Sequence, residues 1–310
     1  MAMAQIKTYL IVTVDPVHIG TGGYRLGRVD NAIVRDPGTN IPKIPGTSIS
    51  GAARSYAASQ INSSGCAGQG VGENGHCGKE NCPICYTFGH TAGDKSNAGV
   101  INFHDAYIVF FPVFSLAGTV WVTTLDILKR YGLKIDPESE LAEDEVLVGS
   151  GLAGKPGLNL GWLLLGVSET PIEISQGSSF HTAQSGNSED LTLFTSWELM
   201  PQDIKDKVVI TTPRLFSHIV NSNLEVRTSV SIDPGTGAAK PGALFTYEAI
   251  PRGAIMAMEL VKDDYRGNFQ KTNSWTDPFH VAESGLKAIE YLGVGGMGTR
   301  GFGRFRIQKY

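Results

Sequence analysis

Four cysteines, Cys66, Cys77, Cys82 and Cys85, fall in the single segment "GCAGQGVGENGHCGKENCPICYTFGH". That loop is too rich in glycine and asparagine to hold itself by apolar packing. Four thiolates around one ion would supply the missing cohesion. Zn2+ prefers such soft ligands, and Cys82-Pro83-Ile84-Cys85 has the spacing of a zinc knuckle. The expected role is structural, since four sulfurs leave no open coordination position. His76, adjacent to Cys77, could replace one sulfur. Unrelated free thiols or disulfides are the alternatives; disulfides suit a cytoplasmic chain poorly, and chance would rarely cluster every cysteine within twenty residues.

A second place for chemistry is "GTGGYRLGRVD", residues 20–30. Asp30 stands behind a glycine-rich run and two arginines, Arg25 and Arg28. Either this is an ordinary surface hairpin with solvated charges, or it is a loop that handles a polyanion and carries an acid at its tip. His18, just upstream, is a candidate general base because an imidazole titrates near neutral pH. Its competing role is a histidine satisfied by hydrogen bonds at a strand end.

The third place is "GVGGMGTRGFGRF" near the C-terminus, which contains Gly296-Met297-Gly298-Thr299-Arg300-Gly301. The glycine spacing matches a dinucleotide fingerprint, but that motif should open a long helix and be followed about 20 residues on by an acid. Neither feature is present. A nest of backbone N–H groups at Gly296 and Gly298, with Arg300 and Arg304 beside it, suits the phosphates of an extended polymer instead. A tight turn before an edge strand is the simpler alternative.

The elements that must position these groups are legible in the alternation. "KTYLIVTVDPVHIG" reads as a strand running into the first glycine loop, and "VDNAIVRD" as a second strand. "KIPGTSISGAARSYAASQI" changes to helical period, with Ile49, Ala52, Ala53, Tyr56 and Ala57 on one face and Thr47 or Ser48 as N-cap. Ser50 and Arg54, four apart, share another face. "AGVINFHDAYIVFFPVF" reads as strand, turn, strand; "GTVWVTT", "IEIS", "KVVITT" and "AIMAMELV" are further strands. Helices are expected in "LDILKRYG", "FSHIVNSN" and "DPFHVAESGLKAIEYLGVGG", and "GFGRFRIQ" closes the chain as a strand. This order predicts an α+β fold with a ferredoxin-like or RNA-recognition-type core enlarged by insertions.

Composition fits that reading. The 310 residues are 41% hydrophobic with a net charge of −4, enough to bury a core. Charge is uneven. Residues 1–60 carry Lys7, Arg25, Arg28, Arg35, Lys43 and Arg54 against Asp15, Asp30 and Asp36, and Arg300, Arg304, Arg306 and Lys309 end the chain without an acid. The segment "KIDPESELAEDE", by contrast, is acidic. Basic ends around an acidic middle let one face bind a polyanion while another stays soluble. "YLIVTV" is far short of the roughly 20 apolar residues of a membrane span. The expectation is a soluble, cytoplasmic protein.

Together these blocks resemble the RAMP proteins. "DPVHIGTGG…VDNAIVRD…IPKIPGTSISGAAR", "GVINFHDAYIVFFPVFSLAGTVWVTTLDILKRYG", "LEVRTSVSIDPGTGAAKPGALFTYEAIPRG" and "GVGGMGTRGFG" follow one another in the family's order. The middle and late blocks are most similar to backbone subunits of the type III-B CRISPR effector (Cmr), with those of type III-A (Csm) a close second. The resemblance implies a single RAMP domain over 1–310, a zinc-binding loop at 62–99, an insertion at 133–200 and a thumb region at 215–252. It implies copies of the chain stacked in a filament along a CRISPR RNA, beside other type III subunits. A β-hairpin thumb from each copy would wedge into the guide–target duplex and flip out a base pair.

Asp30 matches the aspartate required for cutting target RNA, a metal-dependent activity in which Mg2+ or Mn2+ suits a carboxylate and phosphates. Lys43, Ser48, Ser50 and Arg54 match the guide-binding stretch. Ser50 stands where a lysine is common, so part of the phosphate grip is expected at Arg54 or Arg25. Asp105 is expected to be structural. Arg227 and Lys240 are the candidate thumb contacts to RNA, and Leu244 or Phe245 the candidate wedge. Two other readings stay open: a scaffold that only holds RNA, and a stand-alone guide-processing RAMP endoribonuclease using His18.

Overall fold

The structure is a computed structural model of the chain and describes residues 4–22, 29–68, 75–92, 95–176, 197, 200–272 and 274–308. Arg25, Arg28 and residues 177–196 and 198–199 of the expected 133–200 insertion lie outside the described residues.

The N-terminal third contains β1 (Gln5–Thr13), β2 (Lys43–Ile44), α1 (Gly46–Gln60), α2 (Pro83–Phe88), β3 (Gly89–Ala92), β4 (Lys95–Ala98) and β5 (Ile101–Phe103). The middle contains β6 (Ala106–Ser115), β7 (Gly118–Thr123), α3 (Leu125–Arg130), β8 (Leu133–Asp136), β9 (Glu145–Val148), β10 (Gly157–Leu160), β11 (Leu163–Val167) and β12 (Glu173–Gln176). The last third contains α4 (Gln202–Lys205), β13 (Val208–Ile210), α5 (Pro213–Ser222), β14 (Glu225–Ile232), β15 (Ala239–Ala249), β16 (Ile255–Lys262), α6 (Pro278–Leu292) and β17 (Phe305–Gln308).

Two compact units emerge, each assembled from separated segments: 1–19, 44–107 and 257–309 form the first, and 20–43 with 108–256 the second. The cysteine loop belongs to the first unit; the described part of 133–200 and the thumb region belong to the second.

In the first unit the strands run β17–β1–β16–β5, with β17 antiparallel to β1 and β5 antiparallel to β16. Taken with α1 after β1 and α6 after β16, this is the β-α-β-β-α-β arrangement of a ferredoxin-like core. The helices α1 and α6 approach each other backbone to backbone. A Cβ on Gly285 would stand 2.1 Å from the Ala53 carbonyl oxygen, so only glycine fits there. Helix α6 begins as its sequence "DPFH" dictates. The Asp277 side chain accepts from the Phe279 N–H at 2.8 Å, and Pro278 occupies the first helical position. Helix α1 begins differently from expectation: Pro45 is the N-cap, and neither Thr47 nor Ser48 caps by side chain. Asp105 takes that role from outside the helix, accepting from the Gly46 N–H at 2.8 Å.

In the second unit the sheet order is β10–β11–β9–β13–β7–β6. Strand β6 buries Ile108, Val109, Phe110, Phe111 and Val113, a nearly continuous apolar run that marks a strand covered on both faces. The hairpin β14–β15 stands apart from this sheet as a two-stranded ribbon. The expected strand "VDNAIVRD" forms only isolated bridges, because its backbone partners lie in loop 20–43 and in β15 rather than along one neighbour.

Candidate functional site

The cysteines converge, although 19 residues separate the first from the last. Helix α2 brings Cys82 and Cys85 together, with Cys82 as N-cap and its sulfur facing the Cys85 N–H at 3.5 Å. Sulfur–sulfur distances are 3.8 Å for Cys66–Cys82, 3.7 Å for Cys66–Cys85 and 3.7 Å for Cys77–Cys85. A tetrahedron with Zn–S bonds of about 2.3 Å has edges of about 3.8 Å, so the four sulfurs fit one such ion. The Cys85 hydrogen bond pulls Cys82 down to about 5, and the same bond pushes Cys85 up. His76 stands outside this set of four; its Nδ1 accepts from the Thr91 N–H at 3.0 Å. The loop packs through Cys66, Cys82, Ile84 and Cys85 against Ala57 and Ala58 of α1 and Val281 of α6.

Arg54, expected on the RNA side of α1, is buried instead. Its Nε donates to the Cys66 carbonyl at 2.8 Å and its Nη1 to the Gly89 carbonyl at 2.9 Å. A helix of glycine, alanine and serine offers few clues to its inward face, and here the inward face includes the arginine. Desolvation lowers the Arg54 guanidinium from its ordinary range, and negative charge on the nearby cysteine sulfurs offsets only part of that. Arg54 therefore ties both ends of the cysteine loop to α1.

The terminal glycine loop follows α6 and leads into β17, the reverse of the strand–loop–helix order of a dinucleotide site. Met297, Gly293, Gly295, Gly301 and Gly303 all adopt positive φ. A Cβ on Gly295 would meet the His18 carbonyl oxygen at 2.4 Å, and the Gly296 N–H donates to that same oxygen at 2.9 Å. His18 is 5% exposed beneath this loop. The candidate base is thus a buried support of the loop, poorly placed to take a proton from RNA in solvent. Between the loop and α1 lies an open cleft of about 340 Å³, lined by Ser55, Tyr56, Leu292, Gly295, Gly298 and Phe302. The Tyr56 hydroxyl donates to the Gly293 carbonyl at 2.8 Å across one end of it. Ser48 and Ser50 are half-buried in the first turns of α1. Arg300 is exposed on the loop, whereas Arg304 is spent on both oxygens of Asp15, which raises its pKa further.

Asp30 is exposed, and the structure attaches it to strand β15 of the β14–β15 hairpin, the expected thumb. Its Oδ2 accepts from the Thr246 N–H at 2.7 Å and the Thr246 hydroxyl at 2.9 Å, while its own N–H donates back to that hydroxyl at 3.1 Å. Strand β14 is largely exposed along its length, and β15 is exposed or half-buried until Tyr247, Glu248 and Ala249, which are buried. Val226, Val230, Ile232 and Leu244 are large apolar side chains facing solvent, and Leu244 is 66% exposed. Phe245 is half-buried against Tyr247. The ladder is regular from Glu225↔Ala249 to Val230↔Leu244, then shifts so that Ile232 pairs with Ala239. The strand therefore bulges at Lys240-Pro241-Gly242-Ala243, with Lys240 exposed and Gly242 at φ 72°. Arg227 pairs with Glu225 two residues earlier, and Lys43 lies 4.0 Å from Asp36. Gly20 bridges to Ile33, and Gly22, at φ 73°, has open space around its Cα.

Sequence reading missed Thr246, Tyr56 and Glu248. Their only signal is a polar residue recurring inside an apolar strand or helix, and their partners lie up to 237 residues away.

A ferredoxin-like core, a glycine loop leading into its last strand and a separate two-stranded hairpin define a class, and the comparisons identify it. The RAMP superfamily model matches residues 10–306, and the chain belongs to that superfamily. Among curated relatives, the CRISPR system Cmr endoribonuclease Cmr4 of Pyrococcus furiosus is 28% identical over 81% of this chain and 80% of its own length. The CRISPR system Cms endoribonuclease Csm3 of Methanothermobacter thermautotrophicus is 36% identical, but the match spans only 27% of this chain and 32% of that protein. Among solved structures, a chain of the type III-B Cmr-beta complex bound to cognate target RNA aligns with a TM-score of 0.63 at 14% identity, covering 98% of this chain and 96% of that one. Oligomeric Cmr4 from Pyrococcus furiosus aligns at 0.56 with 21% identity, covering 99% of each. No described helix is long and apolar enough to cross a membrane.

Proposed function

We propose that this chain is the backbone subunit of a type III CRISPR RNA-guided effector, of the type III-B (Cmr) kind. Copies of it hold a CRISPR RNA along a filament with other type III subunits and cut complementary target RNA at regular intervals. The observation that carries this reading is an exposed carboxylate, Asp30, bonded to an exposed hairpin studded with apolar side chains. Such a hairpin can enter a stacked duplex, and unstacking one step frees the backbone to turn a 2′-oxygen in line with the adjacent phosphorus. Relatives named as endoribonucleases support RNA cleavage as the activity.

In that step the 2′-oxygen forms a bond to phosphorus as the bond to the 5′-oxygen breaks. The proton of the 2′-hydroxyl leaves to a base, and the departing 5′-oxygen gains one. Asp30 orients the hydroxyl or holds a divalent cation. Oδ2 is occupied by Thr246, and Oδ1 has no hydrogen-bond partner among the described residues. One free carboxylate oxygen completed by RNA phosphates and water fits Mg2+ or Mn2+, which would supply charge neutralisation at the phosphate. The cysteine cluster, with Cys66, Cys82 and Cys85 buried, Cys77 exposed and four sulfurs to fill a tetrahedron, fits structural Zn2+.

The cleft between α1 and the glycine loop, lined by Ser55, Tyr56, Gly295 and Gly298, is the proposed grip on guide RNA, together with Ser48 and Ser50 of α1 and Gly296 and Arg300 of the loop. Lys240, Leu244 and Phe245 are assigned to the duplex. An Asp30→Ala chain that assembles on guide RNA and binds target yet no longer cuts is the expected result. Undiminished cutting would leave a scaffold that only holds RNA.

A further inference from the structure

We propose that Thr246 is the positioning residue of the cleavage site, and that the segment carrying Asp30 is joined to thumb strand β15 so that wedge and acid act as one body. This rests on Asp30 being the cleaving acid. The geometry is a ladder of seven hydrogen bonds. Three join Asp30 and Thr246, as given above. Next along the chain, the Asn31 N–H donates to the Thr246 carbonyl at 3.0 Å and the Asn31 carbonyl accepts from the Glu248 N–H at 3.2 Å, a parallel bridge opposite Tyr247. The Glu248 carboxylate then accepts from the Ile33 N–H at 2.9 Å and from Arg35 Nη1 at 2.6 Å.

Glu248 is buried, so this charge-assisted pair fixes the far end of the ladder away from water. The candidate wedge residues Leu244 and Phe245 are two and one positions from Thr246 on the same strand. Insertion of the hairpin into a duplex therefore carries Asp30 with it.

Thr246 also selects which carboxylate oxygen is presented. Its N–H and hydroxyl both point at Oδ2, which leaves Oδ1 for the RNA or a cation. The same two donors favour the ionised form of Asp30. A structural threonine would have no reason to set the protonation of the acid; a positioning one must.

The test uses the assembled complex with guide and target RNA, comparing Thr246→Val, Thr246→Ala, Thr246→Ser and Asp30→Ala. Loss of a hydroxyl bonded to a charged group predicts a drop in cleavage rate of about ten- to a hundredfold for Thr246→Val and Thr246→Ala, with target affinity unchanged. The acid limb of the pH–rate profile should move to higher pH in both. Thr246→Ser keeps both donors and should cut within about threefold of the parent, with the parental pH profile. Parental rates and profile in Thr246→Val, or a Thr246→Ser chain as defective as Thr246→Val, would overturn the proposal. Cutting by Asp30→Ala would instead overturn the assignment of the acid itself, so the two failures are distinct.

Discussion

Asp30 is an exposed carboxylate whose proton is held unusually loosely, because the Thr246 N–H and then its hydroxyl both donate to the charged form. Its folded pKa is depressed, so whatever these bonds contribute to stability is complete above the unfolded value of about 3.9 and is lost only as pH falls through the lower folded value. The acid is therefore ionised throughout the neutral range. A pH–rate profile of target cleavage should show no loss assignable to Asp30 above about pH 4, and any limb nearer neutrality belongs to another group. A limb near neutral pH that disappears in the conservative Asp30→Glu variant would contradict this. Removal of divalent cations by a brief chelator exchange should stop cutting, and added Mg2+ should restore it, while zinc held by four cysteine sulfurs should exchange more slowly. Metal content per chain, read alongside cleavage, separates the two sites. Asp30 stood out in the sequence as a lone acid behind glycines and arginines. Thr246 was not, because 216 residues of chain intervene and threonine in a strand is commonplace.

At the scale of elements, the cysteine loop and the pair α1–α6 stand or fall together. Arg54 joins α1 to the carbonyls of Cys66 and Gly89. Arg54→Met would leave both carbonyls without their donor and is expected to cost about 3 kcal/mol, seen as a lower melting temperature and a lower zinc content. A variant with normal melting but weaker RNA binding would return Arg54 to the RNA surface. Gly285→Ala should be worse than its size suggests, because the added methyl meets the Ala53 carbonyl oxygen and the helices must part. A loss of about 1–3 kcal/mol in chemical denaturation is expected, and no change would mean that α1 and α6 are less closely held. The elements that alternation reveals, β1, β6, β7, β16 and α6, formed where expected because their apolar faces alone decide their burial. The segment 29–35 did not form the expected strand, since its apparent alternation serves two unrelated neighbours. The direction of Arg54 was equally hidden. A helix built of small residues has inner and outer faces of nearly equal hydrophobicity, and the buried charge is settled by loop carbonyls that the sequence places elsewhere.

For the whole molecule, the two units divide the expected labour. The first holds the ferredoxin-like core, the glycine loop and the cysteine centre, and the second holds Asp30 and the thumb. On this account a chain without guide RNA has no duplex to distort and cuts little, while the assembly cuts target RNA at intervals set by one thumb per copy. The most direct measurement is a high-resolution map of the assembly loaded with guide and an uncleavable target. The account predicts Asp30 Oδ1 within about 3 Å of the 2′-hydroxyl beside each inserted thumb, or joined to the adjacent phosphate through one cation, with Thr246 still on Oδ2. An Asp30 carboxylate turned away from every distorted linkage, with another side chain in its place, would contradict it.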